Sequence, residues 1–181
     1  MREEYLKDIR RTYRKYRDLA ESAIAQVSDR DLHMALDAED NSIAVVMQHL
    51  SGNLRSRFSA FLSSDGEKPD RNRDAEFENH PGVDRAGLLA NWNSAWDIVL
   101  GELDALRPGD LERTVRIRND SFTVVEALNR SVTHTVYHIG QIVFLAKHHA
   151  GAGWKSLSIP KGRSAEYDTG TAKQGKVTDP R

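Results

Sequence analysis

The chain has 181 residues, which at roughly 150 residues per domain predicts one domain with a modest surplus. Lys and Arg number 26 against 27 Asp and Glu, a formal charge of −1, so there is no overall electrostatic drive toward nucleic acid or an anionic membrane. A composition of 39% hydrophobic and 29% charged residues is that of a soluble globular protein, and the absence of cysteine excludes disulfides, thiolate metal sites, iron–sulfur clusters and a cysteine nucleophile. Any metal must be held by His, Asp or Glu. The opening MREEYLKDIRR has no apolar signal-peptide core, and no window reaches the roughly 18 apolar residues of a membrane span; a cytoplasmic protein is expected.

Four long segments carry helical periodicity. In the first, Tyr5, Ile9, Tyr13, Tyr16, Ala20, Ala23, Ile24 and Val27 recur at three and four residues and form one apolar stripe. Seven basic residues lie between Arg2 and Arg17, but Glu3, Glu4, Asp8 and Asp18 are interspersed, the pattern of a solvated helix face. The second segment is expected to start near Asn41 as N-cap and to run through Ile43, Val46, Met47, Leu50, Leu54 and Phe61 to the turn at Ser63 to Gly66. Pro81-Gly82 precedes the third, where Asp84 is the expected N-cap and Val83 is placed to staple Leu88. Leu89, Trp92, Trp96, Val99, Leu103 and Leu106 line its face, and Pro108-Gly109 stops it. The fourth begins at Thr123, whose pairing with Glu126 fits a capping box, and runs to about His149, before Gly151 and Gly153. Four amphipathic helices in one domain predict an all-α, four-helix bundle over residues 1–150.

The connections add to this. Ser64 to Val83 is too long for the roughly 2–8 residues that join antiparallel neighbours, so a crossover along the bundle is expected. Val115 and Ile117 alternate with Arg116 and Arg118 before Asn119-Asp120, which predicts a short ribbon or hairpin. Residues 151–181 hold only Trp154, Leu157, Ile159, Tyr167 and Val177 as sizeable apolar residues. They are expected to be a C-terminal extension whose first half docks and whose end is mobile.

The chemistry is in the histidines. His134 and His138 are four apart in SVTHTVYHIGQ, so on a helix they stand one above the other and can grip one ion. His49 strengthens this, because stepping 100° per residue puts each of the three at the margin of its helix's apolar stripe. At about 1.5 Å per residue His49 lies roughly 12 Å into its helix, and His134 and His138 roughly 16 to 22 Å into theirs, so one interior seam can hold all three. The plain alternative is three ordinary, partly buried histidines. His148 and His149 sit at a helix end and read as exposed, while His33 and His80 lie in loops without a partner at metal spacing.

These residues resemble a known family. A bundle with a His in the second helix and HxxxH followed by Gly-Gln in the fourth is similar to the DinB-like superfamily of metal-binding four-helix bundles, which includes the YfiT or bacillithiol S-transferase-like proteins. The strings NSIAVVMQHLSGNLRSRF, DGEKPDRNRDAEFE and WKSLSIPKGRS resemble an uncharacterised bacterial branch of it. The resemblance implies a divalent metal, commonly nickel or zinc, on His49, His134 and His138, a crossover topology and often a homodimer. It implies no particular substrate.

Three neutral imidazoles without a carboxylate leave a metal its full charge and an open position, the arrangement of catalytic sites. The expected activity is a metal-dependent thiol S-transferase-like reaction between a low-molecular-weight thiol and an electrophile. A metal-dependent hydrolase, or a non-enzymatic stress-related or ligand-binding protein braced by its metal, are the alternatives. Asn53 and Gln141 follow a ligand by four and three residues and can orient substrate or a ligand's second nitrogen. Arg57 can hold a carboxylate of a thiol cofactor or form a surface ion pair. Trp92 and Trp96 read as core, and the loop Asp65 to Glu78 mixes both signs, for internal salt bridges or substrate contact. From Ser131 to Ala146 the fourth helix has no Asp, Glu, Lys or Arg, so Tyr137, Gly140 and Phe144, off its core stripe, are expected to meet a second subunit.

Overall fold

A computed structural model describes residues 1–80 and 82–166 of the chain. It is mainly helical, with α1 Arg2–Ile24, α2 Asp29–Leu32, α3 Ile43–Phe58, α4 Arg85–Ala105 and α5 Val124–Ala150. A single hairpin of β1 Thr114–Ile117 and β2 Asp120–Thr123 precedes α5. Among the described residues no helix is long and apolar enough to cross a membrane.

Side-chain contacts fix how the four long helices run. Tyr5 donates to Asn129 near the start of both α1 and α5, whereas Gln26, just beyond α1, bonds the backbone of Lys155, just beyond α5; these two helices are parallel. Arg10 donates to the Leu103 and Leu106 carbonyls at the end of α4, and Arg85 at its start reaches the Ile24 and Val27 carbonyls, so α1 and α4 are antiparallel. The C-terminal end of α3 lies beside the first turns of α5, since Arg57 shares a cavity with Ala127 and Arg130 while His49, earlier in α3, meets His138 further along α5. Thus α3 and α4, adjacent in sequence and in contact, run the same way. Their connection must return along the length of α3, the crossover that its length predicted.

Most helix ends follow the local chemistry. Asp84 accepts the Gly87 N–H at 2.8 Å, and Thr123 with Glu126 forms the expected reciprocal capping box. Val83 stays exposed against Gly87. Two boundaries of α3 differ from expectation. Ser42, not Asn41, is the N-cap and accepts the Val45 N–H at 3.3 Å. The helix ends at Phe58 instead of continuing past Phe61, because Ala60 has a φ of 53°, outside the right-handed helical region. The hairpin turn has Arg118 and Asn119 at φ 56° and 67°, the positive angles a two-residue turn needs.

The core is one contiguous cluster. Tyr13 of α1 meets Phe58 of α3 edge-on at 5.7 Å between ring centroids and Trp96 of α4 at 6.1 Å, and all three are fully buried. Trp92 is also core and donates to Glu21 at 3.1 Å. After α5, Trp154 and Leu157 pack onto this cluster. The expected mobile end with Tyr167 and Val177 lies outside the described residues.

Candidate metal centre

Helices α3 and α5 bring His49, His134 and His138 together. One nitrogen from each lies within 4.8 Å of the other two, and the Nε2 atoms of His49 and His134 are 3.3 Å apart. His49 is buried at 2% exposure, and the other two are half-buried. Burial pushes the His134 imidazole down to about 4, helped by the positive charge that His138 and His49 would carry; burial also lowers His138. Both are therefore neutral near pH 7, the form in which imidazole donates a lone pair.

The donor set fits a divalent metal. Two bare lone pairs at 3.3 Å repel, so a shared proton or a cation belongs between them. Metal–nitrogen bonds of about 2.0–2.1 Å at a tetrahedral angle place their nitrogens roughly 3.3–3.4 Å apart, close to this spacing. The Nδ1 of His134 is buried and has no hydrogen-bond partner among the described residues.

The outer nitrogens of the other two rings are held. Glu76 Oε2 lies 3.0 Å from His49 Nδ1 and Gln141 Oε1 lies 2.7 Å from His138 Nδ1, so each Nδ1 carries its proton outward and leaves Nε2 free. Glu76 is fixed in turn by Arg71, whose Nε and Nη2 donate to its two oxygens at 2.7 and 2.8 Å. Although burial alone would raise Glu76, the hydrogen bonds from Arg71 and His49 outweigh it and hold the carboxyl below its ordinary range. Phe77 covers the His49 ring at 4.5 Å between centroids.

Glu76, Arg71 and Phe77 all come from the crossover, which is tethered at its start. Asp65 accepts the backbone N–H groups of Arg118 and Asn119 in the hairpin, at 2.9 and 2.8 Å. Glu67 then bonds Arg57, Arg71 and Arg118 at about 3 Å each. The mixed charges of this loop therefore do form internal salt bridges. Gly52 makes room for Glu76 and its pair with Arg71, since a Cβ there would stand 2.1 Å from Glu76 Oε1.

Among the other candidates, Gln141 meets His138 Nδ1, where it can orient that ring. Asn53 is buried at 8% exposure, its side chain hydrogen-bonds no described residue, and it lines a cavity of about 220 Å³ beside His49 and His134. Arg57 is in an ion pair with Glu67, but its side chain is only 11% exposed and lines the same cavity, so the pair is not a surface one. His33, His80 and His148 stand outside the cluster. His149, expected to be exposed, is half-buried, with Nε2 at 3.2 Å from the Met34 carbonyl. Sequence reasoning gave no role to Glu76, Arg71, Phe77 or Gly52. The one signal for them was a glycine inside a helix beside a histidine, since such a glycine costs about 1 kcal/mol and usually marks a close approach.

No curated relative matches the chain. A family model does, over residues 1–163, and on that match the chain belongs to the family described as protein of unknown function DUF1572.

Proposed function

We propose that the chain is a DinB-like four-helix bundle that binds one divalent metal, nickel or zinc, on His49, His134 and His138, and acts as a metal-dependent thiol S-transferase-like enzyme. The observation that carries this reading is the convergence of three imidazoles next to a cavity, with the outer nitrogens of His49 and His138 oriented by Glu76 and Gln141. When bound, the metal supplies a Lewis acid that lowers the pKa of an incoming thiol. His49 and His134 form one wall of the cavity, so a substrate there reaches them directly, and Asn53 offers it an uncommitted amide. That access favours catalysis over a metal that only braces the helices.

The test is conjugation of a low-molecular-weight thiol to an electrophile. A thiol of pKa roughly 8.5 is about 3% ionised at pH 7, so full ionisation is worth at most about thirtyfold in rate. The metal-loaded protein is expected to approach that gain, chelator-stripped protein to show none, and Asn53→Ala to keep its metal and lose part of the rate. A cobalt-substituted protein whose spectrum responds to no thiol or small anion would overturn the reading.

We also propose a homodimer through α5. Tyr137 and Phe144 are 65% and 64% exposed, Gly140 has open space before it, and neither the crossover nor the described part of the tail covers them. Large exposed aromatics on an uncharged helix face favour burial against a second copy. Light scattering at tens of micromolar is expected to give twice the chain mass, and Tyr137→Glu with Phe144→Glu the single-chain mass; a wild-type monomer would reject the interface.

A further inference from the structure

The cavity beside the histidines has an unusual charge. Five arginines line it, Arg57, Arg71, Arg73, Arg118 and Arg130, contributed by α3, the crossover, the hairpin turn and α5. Among the described residues two carboxylates pair with them: Glu67 is shared among Arg57, Arg71 and Arg118, and Glu76 is held by Arg71. Five positive charges against two leave three in excess, although the whole chain carries −1. The excess is therefore local to this cavity.

Arg73 and Arg130 carry that excess most directly. Neither forms an ion pair among the described residues; each lies over an aromatic ring, Arg73 over Phe77 at 5.0 Å and Arg130 over Phe122 at 5.7 Å. A ring face positions a guanidinium without neutralising it, and leaves its N–H groups for an oxyanion. Arg57, Arg71 and Arg118 are already engaged by carboxylates and build the wall.

We infer that this cavity binds the carboxylate or phosphate groups of a small polyanionic molecule, with Arg73 and Arg130 as its clamps, and that the molecule's reactive end lies against His49 and His134. The second half of this inference rests on the proposed metal chemistry, whereas the anion site does not. A cavity of about 220 Å³ admits a small acid and not a polymer, and at a formal charge of −1 the chain as a whole has no net attraction for nucleic acid. Bidentate N–H pairs of arginine suit carboxylate and phosphate alike.

Calorimetric titration of the full chain with succinate and, separately, with inorganic phosphate tests this, on both chelator-stripped and metal-loaded protein. Binding of at least one of them to the stripped form is expected, weakening as salt is raised. Arg73→Gln with Arg130→Gln should weaken it roughly tenfold or more while metal content is unchanged. Tighter binding of succinate would assign the site to carboxylates and tighter binding of phosphate to phosphoryl groups, each within the proposal. Anion binding by a wild-type chain that takes up neither nickel nor zinc would support the site while removing the metal reading. No binding of either anion at millimolar concentration in both forms, or equal binding by wild type and the double variant, would overturn it.

Discussion

His134→Ala is expected to abolish metal binding. Wild-type protein should retain about one equivalent of nickel or zinc after dialysis against chelator, and the variant close to none. His134 supplies the nitrogen 3.3 Å from that of His49, and its removal leaves two imidazoles to compete with water and buffer. Loss of a partner that only orients a ligand typically costs 10–100-fold in affinity, so loss of a ligand should exceed about 100-fold. Glu76→Gln is the graded companion: an amide keeps an acceptor near His49 Nδ1 but loses the charge that Arg71 grips, and a cost within that 10–100-fold range is expected. His148→Ala, outside the cluster, should bind like wild type. Full occupancy in His134→Ala, measured by elemental analysis, would remove the assignment of all three ligands.

Phe58→Ala should strongly destabilise the fold. The ring is fully buried at the end of α3, edge-on to Tyr13 of α1 and stacked on Phe61 at 5.3 Å, so its loss opens a cavity where three elements meet. Truncation of a buried Phe costs about 3–5 kcal/mol, a large share of the roughly 5–15 kcal/mol that holds a domain together. At about 2–4 °C per kcal/mol for a chain of this size, the melting temperature should fall by roughly 6–20 °C. Denaturant midpoints on metal-free protein separate this from any loss of bound metal. A cost below about 1 kcal/mol would mean that the Tyr13–Phe58–Trp96 cluster is not the hub of the core.

Local chemistry in the sequence was enough for the helices and for part of the site. The stripe of α1, the Asp84 cap, the Thr123–Glu126 box and the i, i+4 spacing of His134 and His138 all depend on residues within a turn or two of one another, where helical periodicity governs. His49 could be added because it marks the same margin of its own stripe. The tertiary structure alone decided that Glu76 and Arg71 lock His49, that Gln141 turns to His138 while Asn53 faces the cavity, and that five arginines converge there. Those features depend on the path of a crossover with no periodicity, fixed by Asp65 and Glu67 reaching a hairpin far along the chain. A charged loop can satisfy its charges in many ways, and only the folded chain selects the one that places its carboxylate on a histidine.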